Sequence, residues 1–307
     1  MSTPSDSELG KAIGEFSRLR GRVFGIAYRM LGTVADAEDI VQDVWVKWQS
    51  YEDRGSVRDS TAFLVTMTTR LSINATQTAR VRRETYVGPW LPEPVDTSAD
   101  PSLGAERAAA LETAVLVVLE KMTPTERAAF VLREAFDYPY DAIAEILQMK
   151  EPAARKLVSR ARPAIESDRQ TPVDTADQRR LLSAFLVAAR AGDFDALETL
   201  FATDVASYAD GGGKVRNVSR IPVLGRDRVA KYVAAFASHF WIGVTLDWVD
   251  ANGRPSVLIR RDGAPIAWLA VGLADDENIN RIYWVFNPAK LVRVAQVVAA
   301  QGDSTTQ

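Results

Sequence analysis

The stretch "YPYDAIAEILQMKEPAARKLVSRARPAI", residues 138–165, carries two helical periods separated by a polar break. Ala142, Ile143, Ile146 and Leu147 fall on one side of a short first helix. "QMK" then reads as a tight turn, and Pro152 suits the first turn of a second helix, where a missing N–H costs nothing. On that second helix Leu157, Val158 and Ala161 face inward, which leaves Arg155, Lys156, Ser159 and Arg160 on the outer face. With the upstream helix "PTERAAFVLREAF", 124–136, the pattern is a trihelical unit built as a helix-turn-helix. Its exposed cations and hydroxyl suit phosphates and base edges in a major groove. Two ordinary packed helices with a solvated basic face are the plainer alternative.

Working outward, residues 7–77 also read as helical. An apolar helix carries Phe16, Leu19, Val23, Phe24, Ala27 and Met30 and breaks at Gly32-Thr33. "TVADAEDIVQDVWVKW", 33–48, turns Ile40, Val41, Val44 and Trp45 inward and its carboxylates outward. A third helix, capped by Ser60 or Thr61, ends in Arg70, Arg80, Arg82 and Arg83, with no acid between residues 70 and 83. Two basic patches and one acidic helix point to nucleic acid at two places and a protein partner at a third. Residues 84–104 hold Gly88 and four prolines and read as a linker. Helical periodicity resumes at Glu106 and lasts to about Ser167.

Beyond Asp177 the texture is mixed. Helices precede the strands "VASYA", "VRNVS", "GVTLDWV", "SVLIRR", "APIAWLAVGLA" and "INRIYWVFN", with Asn252-Gly253 and Asp262-Gly263 as hairpin turns. This is an α+β plan with a curved antiparallel sheet. "DGGGK", Asp210, Gly211, Gly212, Gly213 and Lys214, lacks the first glycine and the final Ser or Thr of a phosphate loop. It reads as a hairpin turn between "VASYA" and "VRNVS".

The 307 residues are 47% hydrophobic, contain no cysteine and a single histidine, and carry a net charge of −3. Disulfides, thiolate zinc sites and histidine clusters are thereby excluded. No metal, nucleotide or other cofactor is expected. The absence of a long apolar run or a signal-like N-terminus gives a cytoplasmic expectation with no membrane partner.

Taken together, these residues resemble regions 2 and 4 of the extracytoplasmic-function (group IV) RNA polymerase sigma factors. "GPWLPEP" (88–94), "DGGGK" (210–214) and "NPAKL" (287–291) resemble the subgroup of the sigma-J type, which carries a C-terminal SnoaL-like extension. The resemblance implies a multidomain chain: two all-α DNA-binding domains followed by an α+β cone of the NTF2-like kind. The expected division is region 2 at 1–85, a linker at 86–105, the region 4 helix-turn-helix at 106–167, a regulatory domain at 168–298 and a disordered tail at 299–307.

The partners so implied are core RNA polymerase and promoter DNA, with an unknown small molecule in the C-terminal domain as a further candidate. Asp36, Asp39, Gln42, Asp43 and Trp45 would dock on the polymerase. Ser60, Thr61, Arg70, Asn74, Arg80, Arg82 and Arg83 would contact the −10 element, where Asn74 and Thr76 depart from the Asp and bulkier residue usual in the family. Arg155, Lys156, Ser159 and Arg160 would read the −35 element. Trp90, Leu91, Pro92, Glu93 and Pro94, the loop 210–214, and Asn287, Pro288, Lys290 and Leu291 would regulate the factor from within, with Glu93 as a partner for Lys214.

The resemblance implies no enzyme. Two alternatives stay open: a ligand-sensing one-component DNA-binding regulator, and a bifunctional chain whose C-terminal domain has cyclase- or isomerase-like activity. Asp210, Asp247 and His239 are the acid–base candidates for the latter, His239 being read as a buried or capping residue. Trp241, Trp248, Trp268 and Trp284 are read as core.

Overall fold

The computed structural model describes residues 6–97, 112–168, 174–275 and 277–304, and the chain divides into two compact units. One comprises residues 1–82, 101–111 and 118–167; the other comprises 83–100, 112–117 and 168–307.

The first unit is helical. α1 (Asp6–Leu31) packs on α2 (Val34–Gln49), burying Val23, Ile26, Ala27 and Met30 against Ile40, Val41, Val44 and Trp48. Gly32, at φ 72°, makes the corner, and the Thr33 side chain caps α2 by accepting from Asp36 N. α3 (Ser60–Glu84) is capped by neither Ser60 nor Thr61. Asp59 Oδ1 accepts from the N–H groups of Thr61 and Ala62, because the cap residue must stand one position before the helical backbone begins.

α4 (Thr113–Leu119) begins past the expected resumption at Glu106, which lies outside the described residues. α5 (Pro124–Phe130) starts with a capping box between Thr123 and Glu126 and continues as a π-turn over Val131–Ala135. α6 (Tyr140–Ile146) and α7 (Glu151–Asp168) follow, joined by a turn with Gln148 at φ 53°. Ile143, Ile146, Ala154, Val158 and Ala161 are buried, as the helical period requires.

In the second unit, α8 (Thr175–Ala191) and α9 (Phe194–Leu200) precede β1 (Phe201–Asp210). β2 (Val223–Leu224), α10 (Arg226–Ala235), β3 (Val244–Ala251), β4 (Arg254–Arg261), β5 (Ala264–Leu273), β6 (Ile279–Val285) and α11 (Pro288–Ser304) complete it. The sheet order is β2-β1-β6-β5-β4-β3. The pairings are antiparallel except β1 with β6, so the sheet is mixed, which corrects the antiparallel expectation. A strand that joins the sheet long before its neighbour in sequence is not constrained by a hairpin.

"VRNVS" forms no strand; only Val223–Leu224 pairs with β1. α11 runs to Ser304, so the expected tail from residue 299 is helical backbone, residues 305–307 lying outside the description. Asn252-Gly253 and Asp262-Gly263 sit at positive φ in their hairpin turns as read.

Strand alternation gives the sheet two buried faces. Val257, Ile259, Leu269, Val271, Ile282 and Trp284 face α8, α9 and α10. Leu258, Trp268, Ala270, Tyr283 and Val285 face the other way, against Leu291 and Val294 of α11, Ala114 of α4, and Leu91. An extended segment without regular structure thus supplies a core residue, Leu91, which is fully buried.

Candidate functional site

On α7, Arg155, Lys156, Ser159 and Arg160 are all exposed on the face opposite Ala154, Val158 and Ala161. Their cations have local partners. Arg155 pairs with Glu151 at 2.6 Å and lies over the Tyr140 ring at 4.5 Å, while Arg160 pairs with Glu126 at 2.9 Å. Exposed pairs of this kind are worth under about 1 kcal/mol and exchange readily for phosphate.

α2 presents Asp39, Gln42, Asp43 and Val46 to solvent. Asp36 is half-buried and pairs with Arg82 at 2.9 Å, and Trp45 rests on Phe16 with ring centroids 5.1 Å apart. Asn74 and Arg80 are exposed on α3, Ser60 and Thr61 are half-buried at its start, and Thr76 is buried with its hydroxyl on Ser72 O. Arg70 donates from Nε to Ile146 O at 3.2 Å, at the end of the first helix of the helix-turn-helix. Arg127 is buried between the Met30 carbonyl and Glu120, and burial lowers its pKa to about 10.

The second unit holds a cluster around Asp210, which is wholly buried. Its carboxylate accepts from Tyr86 Oη at 2.5 Å, from Leu91 N at 2.9 Å and from Lys290 Nζ at 2.7 Å. Its backbone oxygen accepts from the N–H groups of Phe286 and Asn287 at 2.8 and 2.9 Å. Lys290 also donates to Leu91 O and lies 4.2 Å from the Trp90 ring, which Arg83 covers at 3.7 Å. Asn287 Nδ2 donates to Tyr86 Oη at 2.8 Å, and Asn287 Oδ1 accepts from Ala289 N behind Pro288.

Burial is the larger influence on both ionisable partners. It pushes the Tyr86 hydroxyl well above its ordinary range, reinforced by Asp210, and lowers Lys290 to about 8 although Asp210 opposes the change.

Three sequence motifs therefore converge: "WLPEP", in which Leu91, Pro92, Glu93 and Pro94 are buried, the start of "DGGGK", and "NPAKL". A Cβ on Gly212 (φ +57°) would lie 2.6 Å from Asn287 Nδ2 and 2.9 Å from Tyr86 Oη; one on Gly213 would meet Val87 at 3.1 Å. The glycines permit that approach. Gly211 packs on Val218.

The expected Lys214–Glu93 pairing is not the one found: Lys214 is exposed, and Lys290 is the buried cation, with Glu93 contributing to its electrostatics. Tyr86 carried no signal in the sequence beyond its place at the start of the linker.

The rest of the linker is pinned separately. Val95 and Asn252 exchange backbone and side-chain hydrogen bonds, Asp96 bridges Ala251, and Thr97 donates twice to Asp250 O.

Of the acid–base candidates, Asp210 belongs to this cluster and Asp247 is held by Arg260 at 2.6 Å. His239 is exposed rather than buried, because its helix ends at Ala235 and leaves it in a turn. Trp268 is core, bonded to Ser256; Trp248 is half-buried beside Arg179; Trp241 and Trp284 line a cavity. No group of three or more metal-ligating side chains is found among the described residues, and none of their helices is long and apolar enough to cross a membrane.

Residues 16–83 match the family Sigma-70 region 2, and residues 112–165 match Sigma-70, region 4. The chain is 37% identical over 237 residues to the ECF RNA polymerase sigma factor SigJ of Mycobacterium tuberculosis, covering 76% of this chain and 75% of that one. The chain is an ECF RNA polymerase sigma factor. The probable ECF RNA polymerase sigma factor SigI of the same organism is 29% identical, covering 89% of this chain and 92% of the relative. The crystal structure of M. tuberculosis SigJ superposes with a TM-score of 0.73 at 32% identity, covering 92% of this sigma factor and 98% of that chain. Helical region 2 and region 4 elements followed by a sheet-containing domain are thus shared along the chain. Sigma factors act with core RNA polymerase on promoter DNA, and this one serves transcription initiation.

Proposed function

We propose that α7 reads the −35 element through Arg155, Lys156, Ser159 and Arg160. The observation that carries this is their common exposure on the face opposite the buried Ala154, Val158 and Ala161. Ser60, Thr61, Asn74, Arg70, Arg80 and Arg82 serve the −10 element, with cations on the backbone and the start of α3 near an unstacked base. Arg70 has to leave Ile146 O to do so. Arg83, stacked on Trp90, is assigned to the linker instead. The exposed Asp39, Gln42 and Asp43 face of α2 docks on core polymerase.

Regulation is built into the chain: the cone holds the linker between regions 2 and 4 through Asp210, Lys290 and Tyr86, and so sets how far the two regions can separate. The cone acts here as a regulatory module, with Asp210 paired to Lys290 and Asp247 to Arg260. A promoter fragment incubated with core polymerase and the chain should form an open complex. Asp39→Lys with Asp43→Lys should abolish core binding while leaving the helical content unchanged. Full binding by that variant would overturn the assignment of α2.

A further inference from the structure

The cations on the outer face of α7 are not held alike. Lys156 is exposed and has no ion pair or ring contact among the described residues, and Arg160 has a single contact, from Nη2 to Glu126. Arg155 is held from two directions. Its Nε and Nη2 both donate to Glu151 Oε1, at 3.0 and 2.6 Å, and its guanidinium lies over the Tyr140 ring, 4.5 Å from the centroid.

The ring is itself fixed. Tyr140 opens α6 directly after Pro139 and is half-buried, and Arg133 also lies over its ring, at 4.9 Å. Arg133 in turn donates to Tyr138 O at 3.0 Å and stands 3.6 Å from Asp137, whose φ of 56° turns the chain beyond the π-turn. A chain of contacts thus joins the end of the first helix of the trihelical unit to the middle of α7.

A guanidinium carries five N–H donors in a planar fork. Glu151 takes one from Nε and one from Nη2, which leaves three, on Nη1 and Nη2, without a partner among the described residues. An Nη1–Nη2 edge matches O6 and N7 of guanine. Phosphate meets the repulsion of the Glu151 carboxylate beside that edge, whereas a guanine edge carries no net charge. The ring adds an attraction that phosphate does not replace.

The geometry points to Tyr140 and Glu151 as positioning residues that make Arg155 the guanine reader of the −35 element. They fix the plane of the fork and occupy its inner edge, so Arg155 meets one guanine end-on. Specificity at that base pair is then set by two side chains that do not touch the base. This rests on the reading of α7 as the −35 helix, and Arg155→Ala separates failure of that reading from failure of the positioning.

The test uses the full chain bound to core polymerase and a promoter fragment that supports an open complex. Each guanine of the −35 element, on either strand, is replaced in turn by 7-deazaguanine, which lacks the N7 acceptor and keeps its Watson–Crick pairing. Wild type should lose affinity roughly five- to thirtyfold at one position and little elsewhere. Arg155→Ala should bind the two fragments alike. Tyr140→Leu should reduce the discrimination roughly two- to fivefold, and Tyr140→Phe, which keeps the ring, should retain it. Glu151→Gln, a change on a partly exposed side chain, should bind every fragment at least as tightly as wild type yet discriminate less, with thermal melts confirming that each variant folds. Discrimination lost in Arg155→Ala but intact in Tyr140→Leu and Glu151→Gln overturns the positioning role and leaves the −35 reading standing. Wild type indifferent to every replacement, or discrimination intact in Arg155→Ala, overturns guanine reading by Arg155.

Discussion

Replacing Asp210 by Asn keeps the shape of the linker cluster and removes its negative charge. Lys290, 6% exposed and 2.7 Å from the carboxylate, would then be a buried cation without its bonded carboxylate, offset only by the weaker influence of Glu93, and Tyr86 and Leu91 N would lose a charged acceptor. Breaking a buried pair in this way costs about 3–5 kcal/mol. Apart from Leu91 and Ala114, the cone's two-sided core is built from its own strands and helices, so the cheapest relief is release of the linker, which lets Lys290 rehydrate. The equilibrium for linker opening should shift by roughly 10² to 10⁴. Chymotrypsin reports it directly, because the segment offers Tyr86 and Trp90 as cleavage sites and cleavage tracks the open population when reclosing is fast. Adding Lys290→Met should restore at least half of the lost protection by removing the orphaned charge. Unchanged cleavage in Asp210→Asn, in a chain with a normal melting profile, would refute the claim that the Asp210 carboxylate holds the linker.

Other consequences follow from the same geometry. Lys290 titrates near 8 when buried against roughly 10.4 in water, so the released state binds more protons between those values. Raising the pH from 7 to 9 should therefore favour the held linker by roughly tenfold, seen as slower cleavage after correction with an unstructured substrate; faster cleavage would contradict it. Gly212→Ala places a Cβ 2.6 Å from Asn287 Nδ2 at φ +57° and should cost about 1–2 kcal/mol, read as a lower melting temperature. Arg155→Ala should lose roughly 1–3 kcal/mol of discrimination between matched and mismatched −35 sites if it pairs with a guanine edge, and weaken all sites alike if it touches only phosphate. No change at either site would show that α7 faces elsewhere.

The helix-turn-helix was legible because its two periods, its turn and Pro152 agree with one another, and Val158 and Ala161 are buried as their spacing requires. The hairpins at Asn252 and Asp262 were legible for the same reason, since few residues accept positive φ. What escaped was set by distant contacts. "VRNVS" has strand propensity, yet Val215 and Val218 find apolar partners in the cavity wall instead. The partner of Asp210 could not be chosen among lysines from spacing alone: Lys214 is nearby in sequence and exposed, Lys290 is distant and buried. β1 joining β6 in parallel is likewise a tertiary choice that no local period encodes.

Run-off transcription with core RNA polymerase on genomic promoter fragments, with wild type and Asp210→Asn side by side, shows whether the held linker governs the factor. Transcripts should require the chain, and their yield should change when the linker is freed. Chain-dependent transcripts of equal yield from both proteins, with the linker shown to be released in the variant, would contradict it.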